Sequence, residues 1–111
     1  MNKNWTVNFL PETVNDFKNI DHSSVLQVRK VIERVSSNPL PQSEGGYGKP
    51  LGNNTYSRLA NCCKIKLKKA GIRVVYKLIR KDTEMTIIII GARKDVEVYR
   101  IAEERIKKHN I

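Results

Sequence analysis

Residues 62–79, with the sequence CCKIKLKKAGIRVVYKLI, decide the fold. Apolar and polar residues alternate along the first half, which predicts a β-strand, and Ala70-Gly71 is predicted to form a two-residue turn into a second strand. This register places Lys66 opposite Val75. Because side chains alternate across a strand, one face carries the cations Lys64, Lys66, Lys68, Arg73 and Lys77. The other face is predicted to be the core face, with Ile65, Leu67, Ile72, Val74 and Tyr76.

The row of cations is either a solvated face or a site built for a polyanion. The 111-residue chain has a net charge of +10, and this charge is unevenly distributed. Residues 1–38 hold five Lys/Arg against four Asp/Glu, a difference of +1, whereas residues 39–111 hold sixteen against seven, a difference of +9. Between Glu44 and Asp82 there is no acidic residue. The one-sided charge predicts an acidic partner: nucleic acid, ribosome, anionic membrane or acidic protein.

The length of the chain predicts a single domain over residues 1–111. No secretory signal is present, and no apolar run approaches the roughly 20 residues of a membrane helix, so we expect a cytoplasmic protein without membrane contact. Cys62 and Cys63 are adjacent in a strand and point to opposite faces, which argues against an ordinary disulfide between them. Neither they nor the acidic residues have the spacing of metal ligands, and we expect no metal and no cofactor.

The rest of the chain alternates between strands and helices. The segment from Trp5 to Leu10 reads as a strand in which Trp5 and Phe9 belong to the core. Two helices follow, and their apolar faces are Val14, Phe17 and Ile20 in the first and Val25, Val28, Val31, Ile32 and Val35 in the second. The second helix leads into a glycine-rich loop that carries Lys49.

The last part of the chain predicts one more strand and one more helix. The isoleucine run between Met85 and Ile90 indicates a strand that is buried on both faces. Asp95 is placed to cap a final helix, and the tail after Ile106 is expected to fray. The order β-α-α-β-β-β-α predicts an α+β fold: a small, mostly antiparallel four-stranded sheet, an N-terminal helical hairpin and a C-terminal helix, with the helices on one face.

Chemistry in this chain must rely on Lys, Arg and Tyr, because His22 and His109 lie at a helix start and in the tail. Such a set can cleave RNA, since the 2′-OH of the substrate attacks its own phosphate in line and the protein need only orient atoms, neutralise charge and move protons. Crowding of like charges depresses the pKa of lysines, which makes Lys64 or Lys66 a candidate general base. Arg93 can clamp a phosphate.

Four segments resemble the RelE toxins of bacterial toxin–antitoxin pairs: Lys64–Leu67, Gly71–Tyr76, Gly91–Arg93 and Glu97–Tyr99. The resemblance implies a RelE/ParE-like fold and a ribosome-dependent endoribonuclease that cuts mRNA in the A site without a metal. It also implies a cognate RelB-like antitoxin that wraps the toxin, and contact with small-subunit rRNA and mRNA.

Position by position, Lys64 and Lys66 match the family's active-site lysines and Arg73 its transition-state arginine. Arg93 matches the second active-site arginine and Tyr99 the tyrosine at the scissile nucleotide. Other cations are expected to contact RNA phosphates: Lys49, Lys68, Lys69, Lys77 and Lys94.

Two departures from the family stand beside these matches. Ala92 replaces a basic residue of some relatives, and a long glycine-rich segment precedes Leu51. The same fold serves ParE-type toxins that inhibit DNA gyrase without cutting RNA, so a gyrase inhibitor stays an alternative, as does a basic RNA-binding module without catalysis. For Tyr99 the alternative is plain core packing between helix and sheet.

Overall fold

The computed structural model describes residues 4–51, 59–92 and 94–111. These residues form a five-stranded sheet with the strand order β1-β5-β4-β3-β2, in which β1 runs parallel to β5 and every other neighbouring pair is antiparallel. The elements are β1 (Thr6–Phe9), α1 (Glu12–Lys18), α2 (His22–Val35), β2 (Lys49–Pro50), β3 (Cys62–Leu67), β4 (Ile72–Ile79), β5 (Glu84–Gly91) and α3 (Asp95–His109). The predicted α+β order is confirmed, and the two-residue β2 is the strand that the prediction lacked.

The turn between β3 and β4 is longer than predicted. Leu67 pairs with Ile72, so the turn consists of the four residues 68–71 instead of Ala70-Gly71 alone. The Gly71 N–H donates to the Lys68 carbonyl at 3.3 Å, and Gly71 has a φ of +68°, which favours glycine. The register differs from the predicted one by two residues. Because the side-chain period of a strand is two, each strand residue keeps its predicted face.

Helices cover both faces of the sheet, and the prediction that they share one face is wrong. Residues Val28, Ile32 and Val35 of α2 pack with Tyr76 and the rest of the predicted core face of the hairpin. Residues Val98, Ala102 and Ile106 of α3 pack on the opposite face with Val75, Ile88 and Ile89. The isoleucine run of β5 supplies apolar side chains to both faces, as predicted, and each apolar face requires a cover.

The N-terminal segment departs from its apolar pattern. Phe9 and Val14 are exposed and Trp5 is half-buried, so the prediction of a core role for Phe9 and an inward-facing Val14 is wrong. Helix α1 instead buries Thr13 and Asp16 against β5. The Thr13 hydroxyl donates to the Leu10 carbonyl at 2.6 Å. Polar groups with internal partners can occupy a buried helix face, which apolar spacing alone does not reveal.

The glycine-rich segment is more ordered than the loop that the sequence predicts. It forms a 3-10 turn over Gln42–Glu44 and then β2, whose Lys49 pairs with Lys64 of β3. Tyr76, fully buried as predicted, donates to the Pro39 carbonyl at 2.7 Å. A Cβ atom on Gly48 would lie 2.5 Å from the Tyr76 hydroxyl, so this position requires glycine. The close approach of Gly48 to Tyr76 accompanies the pairing of β2 with β3, which places Lys49 opposite Lys64.

The C-terminal tail is helical as far as His109, so the prediction that it frays is wrong. Helix α3 continues to His109, which lies 2.9 Å from the Glu12 carboxylate, and Lys108 donates to the same carboxylate at 3.2 Å.

Cys62 and Cys63 are buried free thiols on opposite faces of the sheet, and burial raises the pKa of Cys62 to about 12. Among the described residues no helix is long and apolar enough to cross a membrane.

Candidate active site

Helix α3 lies beside β3 so that two pairs of side chains meet. Two residues along a strand span about 6.6 Å, and four residues along a helix span about 6 Å. Lys64 and Lys66 on β3 therefore match Tyr99 and Asp95 on α3. The Lys64 ammonium donates to the Tyr99 hydroxyl at 3.1 Å, and the Lys66 ammonium lies 3.5 Å from the Asp95 carboxylate.

Arg73 completes the cationic cluster, which we define as Lys64, Lys66 and Arg73. It lies directly opposite Lys66 in the β3–β4 register, and its Nε donates to the Asp95 carboxylate. The side chains of Lys66, Arg73 and Asp95 are 32%, 26% and 36% exposed. Solvent and ligands can therefore reach the cluster.

The electrostatics of the site favour an anion. Burial raises the pKa of Asp95, but the hydrogen bond from Arg73 and the charges of Arg73, Lys66 and Lys64 outweigh burial and lower that pKa overall. The Asp95 carboxylate thus lies in the field of all three cations of the cationic cluster. Arginine and lysine side chains of this kind also suit an anionic group such as a phosphate.

Tyr99 combines the two roles that its position allows. Its half-buried ring packs against the core beneath α3, while its hydroxyl accepts the hydrogen bond from Lys64. The Lys64 ammonium lies 5.8 Å from the ring centroid, at the outer limit of a cation–π contact, so the hydrogen bond defines the pair.

Arg93, the other predicted catalytic residue, lies outside the described residues. The remaining predicted cations occupy different places. Lys49, Lys68 and Lys69 line a groove of about 370 Å³ together with Lys64, Lys66 and Arg34, and we call this the cationic groove. Lys94 is exposed immediately before α3. Lys77 lies opposite Cys62 in the β3–β4 register. It is four residues, or about 13 Å, along β4 from Arg73 and does not line the groove.

Sequence reasoning missed two residues of this region. The sequence predicts that Asp95 caps α3, but α3 begins at Asp95 itself and its carboxylate contacts Arg73 and Lys66. The four-residue spacing from Asp95 to Tyr99 was a usable signal, because it places both on one helix face. Arg34 lacks such a signal, since it reaches the groove only through the packing of α2 on the sheet.

Comparison with known proteins identifies relatives of this chain. No protein-family model matches the sequence. A protein of Escherichia coli that is named a RelE-like toxin is 25% identical over 93% of this chain and 98% of its own length. The mRNA interferase toxin RelE of Escherichia coli strain K12 is 26% identical over 92% of this chain and 97% of its own length. The chain is therefore a distant homologue of the RelE-like toxins over nearly its full length.

Solved structures give the same fold. A doubly substituted variant of the Escherichia coli toxin RelE in the free state matches with a TM-score of 0.72 at 22% identity, over 94% of this chain and 99% of that one. The toxin in the intact Escherichia coli RelBE toxin–antitoxin complex matches with a TM-score of 0.60 at 21% identity, over 81% and 98%. The α+β fold is thus that of Escherichia coli RelE.

Proposed function

We propose that this chain is the toxin of a toxin–antitoxin pair and cleaves mRNA in the ribosomal A site. The observation that carries the proposal is the convergence of the cationic cluster and Tyr99, at the beginning of α3, on one half-exposed surface. The relative named mRNA interferase toxin RelE supports the reaction type. The residues of this chain that resemble the active-site residues of RelE toxins lie close together in the fold: Lys64, Lys66, Arg73 and Tyr99. We add Arg93 from the sequence.

The proposed reaction needs no nucleophile from the protein. The 2′-OH of one nucleotide attacks the adjacent phosphorus, the bond from phosphorus to the 5′-oxygen breaks, and a 2′,3′-cyclic phosphate and a 5′-OH result. Lys64 or Lys66, in its unprotonated form, accepts the proton of the 2′-OH, and the other lysine, as an ammonium, donates a proton to the 5′-oxygen as it leaves. Arg73 and Arg93 hold the non-bridging oxygens, whose negative charge grows in the transition state.

Tyr99 orients the nucleotide in this proposal. Its hydroxyl is fixed by Lys64, and its ring offers an aromatic face on which a base can stack. The two lysines lie two residues apart in one strand, and the charges of both act on the Asp95 carboxylate.

The proposed partners are the ribosome, mRNA and a cognate antitoxin. Lys49, Lys68 and Lys69 of the cationic groove, with Lys77 and Lys94 elsewhere, contact RNA phosphates and strengthen binding independently of sequence. The solved RelE structures include complexes with the antitoxin RelB and with a RelB peptide. We extend that arrangement to this chain and propose a RelB-like antitoxin that silences it.

The test is primer extension on mRNA in a purified translation system, with and without ribosomes. We expect cuts inside the A-site codon only when ribosomes are present. Arg93→Ala should reduce cleavage by at least about 100-fold, because a charge-stabilising donor is lost in the transition state. Ribosome binding by this variant should stay within about threefold of the original, since one phosphate contact among several is removed.

Arg100→Ala is the matched control. Arg100 is an exposed cation on α3 that pairs only with Glu104 in the contacts described, and its loss removes the same charge. Equal loss of cleavage and ribosome binding in Arg93→Ala would assign Arg93 a merely electrostatic role. Intact mRNA together with gyrase inhibition that survives Lys66→Ala and Arg93→Ala would establish the ParE-like alternative.

A further inference from the structure

Asp95 places a carboxylate of the protein itself within the cationic cluster. One of its oxygens accepts the hydrogen bond from Arg73 Nε, and the other lies 3.5 Å from the Lys66 ammonium. Arg73 and Lys66 are opposed in the sheet register, so the carboxylate bridges two strands as well as two cations. A carboxylate and a phosphate offer the same planar pair of acceptor oxygens to an arginine.

The packing of α3 does not depend on this contact. Val98, Ala102 and Ile106 are fully or almost fully buried against the sheet. Arg105, in the last third of the helix, forms a two-point ion pair with Asp16 of α1. These contacts hold the helix on the sheet whether or not Asp95 is paired.

We propose that Asp95 occupies the phosphate-binding position of the free protein and that RNA binding displaces its carboxylate from Arg73 and Lys66. The inference rests on the proposed function, because it takes the cationic cluster as the phosphate site. The Asp95 side chain is 36% exposed and can turn toward solvent when a phosphate takes its place. The free protein is then a weaker ligand for RNA than its number of cations implies.

A carboxylate beside an arginine can have two roles, and the effect of its removal on RNA affinity distinguishes them. A residue that only positions Arg73 helps phosphate binding, and its removal weakens RNA affinity. A residue that competes with the phosphate opposes binding, and its removal strengthens RNA affinity. Asp95→Asn distinguishes the roles, since the amide keeps the shape and one acceptor oxygen and loses the charge.

The experiment measures binding of a fluorescein-labelled single-stranded 2′-O-methyl RNA, which cannot be cleaved by 2′-OH attack, by anisotropy at fixed ionic strength. We expect Asp95→Asn to bind about tenfold more tightly, as removal of a charged competing hydrogen-bond partner implies. Glu104→Gln removes the same charge from an exposed site on α3 and should change the affinity by less than about twofold. In an Arg73→Gln background the gain from Asp95→Asn should shrink to less than about twofold.

A second measurement follows the Arg73 Nε–H resonance by NMR during titration with inorganic phosphate. Half-saturation should require about tenfold less phosphate in Asp95→Asn than in the original chain. Should the amide variant fail to fold, Asp95→Ser removes the same charge with a residue suited to a helix start.

Affinity that falls in Asp95→Asn, or that rises only as much as in Glu104→Gln, would overturn the inference. The binding assay requires neither ribosomes nor cleavage. A chain that does not cut mRNA but shows the Asp95-specific gain would contradict the proposed function alone. A chain that cuts mRNA and lacks the gain would contradict only the role of Asp95.

Discussion

The two ends of α3 carry ion pairs of opposite character. At the C-terminal end, Arg105 donates to both oxygens of Asp16 at 2.6 and 2.9 Å and to the Ile88 carbonyl at 3.0 Å, and Asp16 also accepts the Ile90 N–H at 3.0 Å. These two side chains are only 17% and 10% exposed. At the N-terminal end, Asp95 lies among the cations of the cationic cluster, and the side chains of Asp95, Lys66 and Arg73 are about one-third exposed.

The difference distinguishes a structural ion pair from the phosphate site that we propose. Charges removed from water need nearly complete hydrogen bonding, which Asp16 and Arg105 give each other and the β5 backbone. Charges that keep contact with water tolerate less complete pairing, which suits the phosphate site that we propose at the cluster around Asp95. Helix α3 is thus held on the sheet by a buried ion pair at its C-terminal end, whereas the charged side chains at its N-terminal end are accessible to solvent.

The same substitution at both ends tests this comparison most strongly. Asp16→Asn should lower the free energy of unfolding by about 3–5 kcal/mol, because Arg105 is left as an uncompensated buried charge. Asp95→Asn should change it by about 1 kcal/mol or less, since the pair is partly exposed and screened. Urea denaturation of both variants and the original chain measures the two values. Equal losses would show that both pairs serve stability.

The comparison also shows which features a sequence can reveal. Lys64 and Lys66 were predictable as neighbours of Arg73, because their shared strand face depends only on alternation and survived a two-residue error in the register. The five-residue catalytic set that we propose rests on resemblance to a family, because alternation alone does not decide whether those lysines form a solvated face or a binding site.

Other features depend on contacts between distant segments. Asp16 and Arg105 are 89 positions apart, and neither shows in its local pattern that it will be buried. The placement of α3 on the opposite face from α2 was missed because an apolar stripe does not specify which face of a sheet it will cover. Asp95 was assigned to its helix, whereas its partners lie on two strands.

Tyr99→Phe tests the proposed role of the N-terminal end of α3 in cleavage, without affecting the ion pair at the other end. It removes the hydroxyl that Lys64 contacts and keeps the ring that packs on the core. We expect cleavage in the translation assay to fall about tenfold, with ribosome binding unchanged, because a group that orients Lys64 and the nucleotide is lost. Tyr99→Leu also removes the aromatic face and should lose at least a further tenfold. Full activity of Tyr99→Phe would show that only the ring contributes.

The smallest expected effect concerns Glu12, which pairs with the C-terminal end of α3. Burial raises its pKa, but hydrogen bonds from His109, its own backbone N–H and Lys108 outweigh burial and lower the pKa from 4.5 to about 2. A carboxylate whose pKa is lower in the folded state stabilises the fold above its ordinary pKa and loses that contribution as the pH falls from about 4.5 toward 2.

Glu12→Gln should therefore lower the free energy of unfolding near neutral pH by about 1 kcal/mol or less, since Lys108 is exposed and the pair is screened by solvent. The difference from the original chain should shrink as the pH falls from about 4.5 toward 2, because Glu12 is protonated in the unfolded state first and in the folded state only around its lowered pKa. Urea denaturation at pH 6, 4 and 2.5 measures it, with Glu104→Gln as the exposed control. A difference that is constant across this range would mean that Glu12 holds α3 through packing, and the contrast between the ends of the helix would then rest on Asp16 and Arg105 alone.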